Sequence, residues 1–252
     1  MARIPIALQL YSLHDLAPRD PAGVLANVAE MGYEGVEFAG FYDLSARDLR
    51  NILEGTGLRV AGAHLGLETL LGEELERTVE FNAELGNKWL IVPGMPAEYK
   101  ETLEGWRRAA EVFNEIAERL GHYGMHTGYH NHWSEFEPLE GEIPWQVFFD
   151  GTRPEVIMQL DTGNCAHGNS DPLEWLQRYP GRAGTVHLKA YAANVTEEGV
   201  VIGEDELDWP VLLDTIEGQG ATSWYIVEQE EYPYPALESV RRCVDHLKSL
   251  GR

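Results

Sequence analysis

Residues 128 to 137 read Gly128-Tyr129-His130-Asn131-His132-Trp133-Ser134-Glu135-Phe136-Glu137, which puts two imidazoles and two carboxylates into one short segment. Tyr129, His130 and Asn131 follow a helix-like run and a glycine, so they read as the end of a strand. The polar residues after them read as the loop beyond it. Three later segments repeat the arrangement: Val156-Ile157-Met158-Gln159-Leu160 ends on Asp161, Thr185-Val186 leads to His187 and then Lys189, and Trp224-Tyr225-Ile226-Val227 ends on Glu228. Each apolar run finishes on a group able to bind a metal, and parallel strands of an α/β barrel bring their C-terminal ends to one face.

The rest of the chain extends that pattern. Ile4 to Leu10 reads as a buried first strand whose Gln9, Tyr11 and Ser12 face a ligand, and a helix through Val24, Leu25, Val28 and Met31 follows at a spacing near 3.6. Val36 and Phe38 form a second strand. Leu58 to Leu65 forms a third, with His64 near its end, and Trp89 to Val92 a fourth. A long helix is expected from about Tyr99 to Leu120, with Trp106, Ala110, Phe113 and Ile116 on one face, and Gly181 to Lys189 is expected as the seventh strand. Ala190 to Asp208 lacks periodicity and reads as a lid over the strand ends or a surface insertion. Eight strand-helix alternations without a linker predict a single-domain (β/α)8 TIM barrel over residues 1–252, with a doubly wound open sheet as the alternative. No glycine fingerprint for a dinucleotide follows the first strand.

Composition narrows the function. The net charge of -23 opposes a phosphate backbone, so nucleic acid is not expected as a partner. No apolar run approaches the roughly 20 residues that cross a bilayer, and Met1 to Leu10 lacks a secretory pattern, so a cytoplasmic protein without a membrane partner is expected. Cys165 and Cys243 are the only cysteines and suggest neither a disulfide framework nor a thiolate zinc site. Homo-oligomerisation is left open by the sequence.

Asp161, His187, Glu228 and one group from the fifth-strand segment make a mixed oxygen and nitrogen donor set suited to one divalent ion such as Mn, Co, Zn or Mg. Glu135 is the expected fourth ligand, because a loop glutamate folds back toward a metal; His130, whose strand-end imidazole points straight at it, is the alternative. Lys189 reads either as a cation for a developing oxyanion or as half of a structural ion pair. His64 and Asn164 are candidates for substrate contact, against a core histidine and a turn residue respectively. Trp133, Trp145 and Tyr191 either stack on a sugar or pack, and His14 reads as surface. Glycine-rich phosphate cradles and arginine clusters are lacking at the strand ends, which favours an unphosphorylated substrate.

Met31-Gly32-Tyr33-Glu34-Gly35-Val36-Glu37-Phe38, Gly62-Ala63-His64, Gly128 to His132 with Glu135-Phe136, Leu160-Asp161-Thr162-Gly163-Asn164, Val186-His187-Leu188-Lys189 and Val227-Glu228 together resemble the sugar phosphate isomerase/epimerase family, with its xylose-isomerase-like barrel. The resemblance covers nearly the whole chain. It implies a divalent metal, often manganese, with Asp161, His187 and Glu228 matching the ligands of the last three strands, and a small carbohydrate substrate. In the family's ketose epimerases two glutamates exchange a proton across a metal-stabilised enediolate. Here His130 stands where they carry the fifth-strand glutamate, so His130 and His132, with Glu228 and Lys189, become the expected acid-base groups. An isomerase or epimerase is the leading expectation. The alternative is a dehydratase or lyase that expels a β-hydroxyl, as in the inosose dehydratases that the family also resembles. A nuclease of the endonuclease IV type would need a basic groove, and a non-catalytic sugar-binding barrel completes the set.

Overall fold

The computed structural model describes residues 3–194 and 199–252. Its strands are β1 (Ile6–Gln9), β2 (Gly35–Phe38), β3 (Arg59–His64), β4 (Trp89–Val92), β5 (His126–His130), β6 (Ile157–Gln159), β7 (Thr185–Leu188) and β8 (Trp224–Val227). They pair in parallel in the order β6-β5-β4-β3-β2-β1-β8-β7. Between the two ends of that order one parallel bridge, Asp161 to His187, brings the sheet round on itself, with backbone bonds from His187 N to Leu160 O and from Met158 N to Arg182 O, each 2.9 Å. The result is a nearly closed (β/α)8 barrel, not an open doubly wound sheet.

Around it lie α1 (Pro21–Glu30), α2 (Ala46–Thr56), α3 (Glu74–Leu85), α4 (Ala97–Lys100), α5 (Leu103–Gly121), α6 (Pro144–Gly151), α7 (Thr162–His167), α8 (Pro172–Arg178), α9 (Trp209–Gln219) and α10 (Ala236–Ser249). The single helix expected from Tyr99 onward is two, because Thr102 adopts extended backbone and its side chain caps the Gly105 amide, starting α5 afresh. The seventh strand is shorter than expected. Gly181 takes φ 81°, and a turn through Arg182 and Gly184 occupies the residues before Thr185. The stretch after Asp161, read as a turn, is the short helix α7, whose N-terminus Asp161 caps.

Strand alternation sorts the side chains into two compartments. Ile6 and Leu8 of β1, and Tyr225 and Val227 of β8, pack outward with the helices, whereas Ala7, Ala61, Trp224 and Ile226 form a separate apolar plug inside the barrel. Farther along, the inner positions change character. Gln9, Glu37, His130, Gln159, Thr185, His187 and Glu228 are all buried and polar. A buried polar layer costs several kcal/mol unless its members satisfy one another, and that layer is where the strand ends converge. No helix among the described residues is long and apolar enough to cross a membrane. Residues 195–198 of the expected lid fall outside the described residues, as do residues 1 and 2.

Candidate functional site

His130 closes β5, Asp161 follows β6, His187 lies in β7 and Glu228 follows β8. Each offers one ligand atom, and these atoms all lie within 4.8 Å of one another. His187 Nδ1 is 2.9 Å from Glu228 Oε2 and 3.9 Å from Asp161 Oδ2, and His130 Nε2 is 3.8 Å from Glu228 Oε2. Asp161 Oδ1 accepts the Asn164 amide at 2.6 Å as the cap of α7, while Oδ2 is buried without any hydrogen-bond partner. A buried carboxylate oxygen left unpaired is costly, and a divalent cation among two acids and two imidazoles satisfies it. The donor set therefore fits the ion that the sequence implied.

The electrostatics are those of a tightly coupled cluster. Burial lifts the Asp161 carboxyl above its usual range against the pull of Lys189. Burial also opposes ionisation of Glu228, but Lys189 and His187 outweigh it and hold that carboxyl well below its usual range. His187 goes the other way: burial works against its charge, yet Glu37 and Glu228 raise it to about 10. Burial, then the neighbouring His187 and His64, keep His130 well below the ordinary imidazole value, so it is the neutral, ligand-ready form that dominates.

Glu135, the expected fourth ligand, is not among the residues brought together. The short 3-10 turn Trp133–Phe136 folds its carboxylate back on its own segment, where Oε1 accepts Tyr129 Oη at 2.8 Å and Oε2 accepts the His132 amide at 2.9 Å and Ser134 Oγ at 3.1 Å. Both oxygens are thereby committed, and His130 supplies the fourth group instead. Lys189 is partly buried and its ammonium meets Glu230; desolvation opposes its charge, but Glu228, Asp161 and Glu230 outweigh it and raise its pKa. His132 is exposed and sets its ring edge against His130 with 5.3 Å between centroids. His64 lies in the polar layer, its ring parallel to His187 at 5.2 Å. Asn164 reaches Asn131 O with its side-chain amide at 3.2 Å. Trp145 is fully buried among Tyr129, Phe136 and Phe149, so it packs, and the ring of His14 sits exposed beside Tyr11.

Two adjoining lobes of a cavity lie at the strand ends, and the first reaches the cluster through His130 and Glu228. One, of 390 Å³, is lined by Tyr11, His64, His130, His132, Glu228 and Glu230 among others. The other, of 510 Å³, is lined by Trp133, Asn164, Lys189 and Tyr191 among others, and shares His132 and Glu230 with the first. Their size suits a small ligand. The residue that sequence reading overlooked is Glu37, a carboxylate at an inward position of β2 that reaches His187 across the interior at 2.5 Å. Its signal was a single charge inside an otherwise apolar strand.

A family model described as a xylose isomerase-like TIM barrel matches residues 25–250. The chain is similar to the inosose dehydratase of Geobacillus kaustophilus (strain HTA426), 25% identical over 89% of this chain and 86% of that one. It is similar also to the inosose dehydratase of Lacticaseibacillus casei, at 25% identity over 81% and 80%. Among solved structures, a sugar phosphate isomerase/epimerase from Parabacteroides distasonis ATCC 8503 superposes with a TM-score of 0.83 at 25% identity, covering 97% of this chain and 98% of the other.

Proposed function

The chain belongs to the xylose isomerase-like TIM barrel family, and from that premise we propose that it is a divalent-metal-dependent dehydratase of a cyclic polyhydroxylated ketone, the second of the two activities weighed from sequence. The observation that carries this reading is His130 in the four-residue cluster, together with Glu135 turned away from it. Glu228 is then the one glutamate there, and a pair of glutamate bases exchanging a proton is not assembled. The curated relatives named inosose dehydratases support the same choice.

His130, Asp161, His187 and Glu228 would hold the cation, which supplies a Lewis acid for the negative charge that develops on a carbonyl oxygen when the adjacent carbon is deprotonated. Manganese is the ion proposed, with Zn, Co and Mg suited to the same donors. His132, on the wall shared by both lobes, takes the proton from the carbon beside the ketone and returns it to the departing β-hydroxyl. The C–H and C–O bonds break, a carbon-carbon double bond forms and water leaves. Lys189, kept as ammonium by its acidic neighbours, stabilises the oxygen on which charge accumulates. His64 and Asn164 contact the substrate's hydroxyls from the two lobes.

Incubating the manganese-loaded protein with an inosose tests this: the product lighter by one water supports it, and a product of unchanged mass replaces it with the isomerase or epimerase reading. We place the protein in the cytoplasm and its substrate among small carbohydrates.

A further inference from the structure

His187 shows its two ring nitrogens to two different carboxylates. Nδ1 faces Glu228 and Asp161, the side on which the cluster gathers. Nε2 faces Glu37, from β2, at 2.5 Å. Glu37 is fully buried and surrounded by donors. Its Oε1 accepts Gln159 Nε2 at 2.8 Å, and its Oε2 accepts Gln9 Nε2 at 2.7 Å and lies 3.2 Å from His64 Nε2. The network fixes the direction of these bonds. Gln9 Oε1 is taken by the Tyr11 amide and Gln159 Oε1 by His64 Nε2, so both glutamines turn their NH2 groups to Glu37. An ionised carboxylate only accepts, and at this point the barrel interior asks for nothing else.

We propose that Glu37 decides which nitrogen of His187 binds the metal: it keeps the proton on Nε2 and so turns the Nδ1 lone pair toward Asp161 and Glu228. It acts through His187, as a positioning residue, and the proposal rests on the reading that the cluster holds a divalent ion. Carboxylates that fix a ligating histidine in this manner typically contribute about 10–100-fold to metal affinity. The backbone is shaped around it. The β2–β3 register shifts between Val36 and Glu37, and the residue opposite Glu37 is Gly62. A Cβ on Gly62 would lie 2.5 Å from Glu37 Oε1, so the glycine is the space that the carboxylate occupies.

Titration of cobalt(II) into the metal-stripped protein compares the wild type with two variants. Glu37→Gln presents an NH2 where only acceptors fit, and Gly62→Ala displaces the carboxylate while leaving every charge and ligand in place. Affinity falling by about 10–100-fold for Glu37→Gln, with Gly62→Ala moving the same way, is the expected result. Wild-type affinity in Glu37→Gln overturns the proposal. Long-range proton–nitrogen NMR of the zinc-loaded wild type needs no variant: a proton on Nε2 and zinc on Nδ1 of His187 are expected, and zinc on Nε2 overturns it. A wild-type chain that takes up neither ion removes the functional reading and this inference with it, whereas coordination through Nε2 removes this inference alone.

Discussion

Asp161 and His187 face each other across the interval between β6 and β7, joined there by one parallel bridge where neighbouring strands are joined by ladders. Both also belong to the four-residue cluster. An ion bound between them ties together the two strands that the backbone ties least.

A metal held there should therefore contribute to stability as well as to the proposed chemistry. At a concentration about 100 times its Kd, the ion should stabilise the fold by about 2.7 kcal/mol, which corresponds to a rise of roughly 5–10 °C in Tm for a chain of this size. Asp161→Asn, which still caps α7 through its side-chain oxygen, should lose that increment while its metal-free Tm stays near that of the wild type. Thermal melts with and without manganese check both halves.

Turnover should stop on chelation and return on adding manganese, and Glu228→Gln should remain inactive after reloading. Activity that survives a strong chelator would remove the metal from the mechanism.

His132 lines the cavity but is not among the clustered groups. His132→Gln should lower kcat by about 10²–10⁴-fold, the usual size of an acid-base contribution, with metal affinity unchanged. A matching loss of metal affinity would reassign it as a ligand.

Arg182 is a buried cation whose guanidinium donates to Phe149 O at 2.9 Å, Thr152 Oγ1 at 2.7 Å, and Arg153 O and Val156 O at 2.8 Å each. It pins the segment that leads into β6. Arg182→Ala leaves those acceptors unsatisfied, at about 1–3 kcal/mol apiece where they stay dry. A loss of about 3 kcal/mol or more is expected, read from denaturant unfolding of the metal-free protein.

His126 stacks on Trp89 at 4.6 Å, and burial, with Lys88 second, lowers its pKa. The folded state therefore binds its proton less readily than the unfolded state. The stability gained from neutral His126 is complete above the unfolded value near 6.5 and declines as pH falls through it toward the lower folded value. His126→Asn should flatten that part of the stability curve, as melts between pH 8 and pH 5 will register.

Most of the strands were legible as apolar runs, and Asp161, His187 and Glu228 because each follows such a run, whereas β5, His-Thr-Gly-Tyr-His, was legible only from the glycine before Tyr129 and the polar cluster after it. Loop residues were not legible in that way. Glu135 was read as folding toward the metal, but its direction depends on the 3-10 turn after β5, which the residue types alone do not dictate. Glu37 escaped notice for a different reason. Its partners His187 and Gln159 stand 150 and 122 residues away, and only closure of the barrel makes them neighbours. The long-helix reading failed at Thr102, where a cap interrupts an otherwise continuous apolar face.

The apolar plug lies beneath the polar layer, on the side away from the strand ends. Trp224 and Ile226 lie on the far side, while the lobe that reaches the cluster lies at the strand ends, walled in part by His132 and Glu230. Whatever occupies that vestibule governs traffic in both directions, and crowding it at either of those side chains should slow entry and escape together.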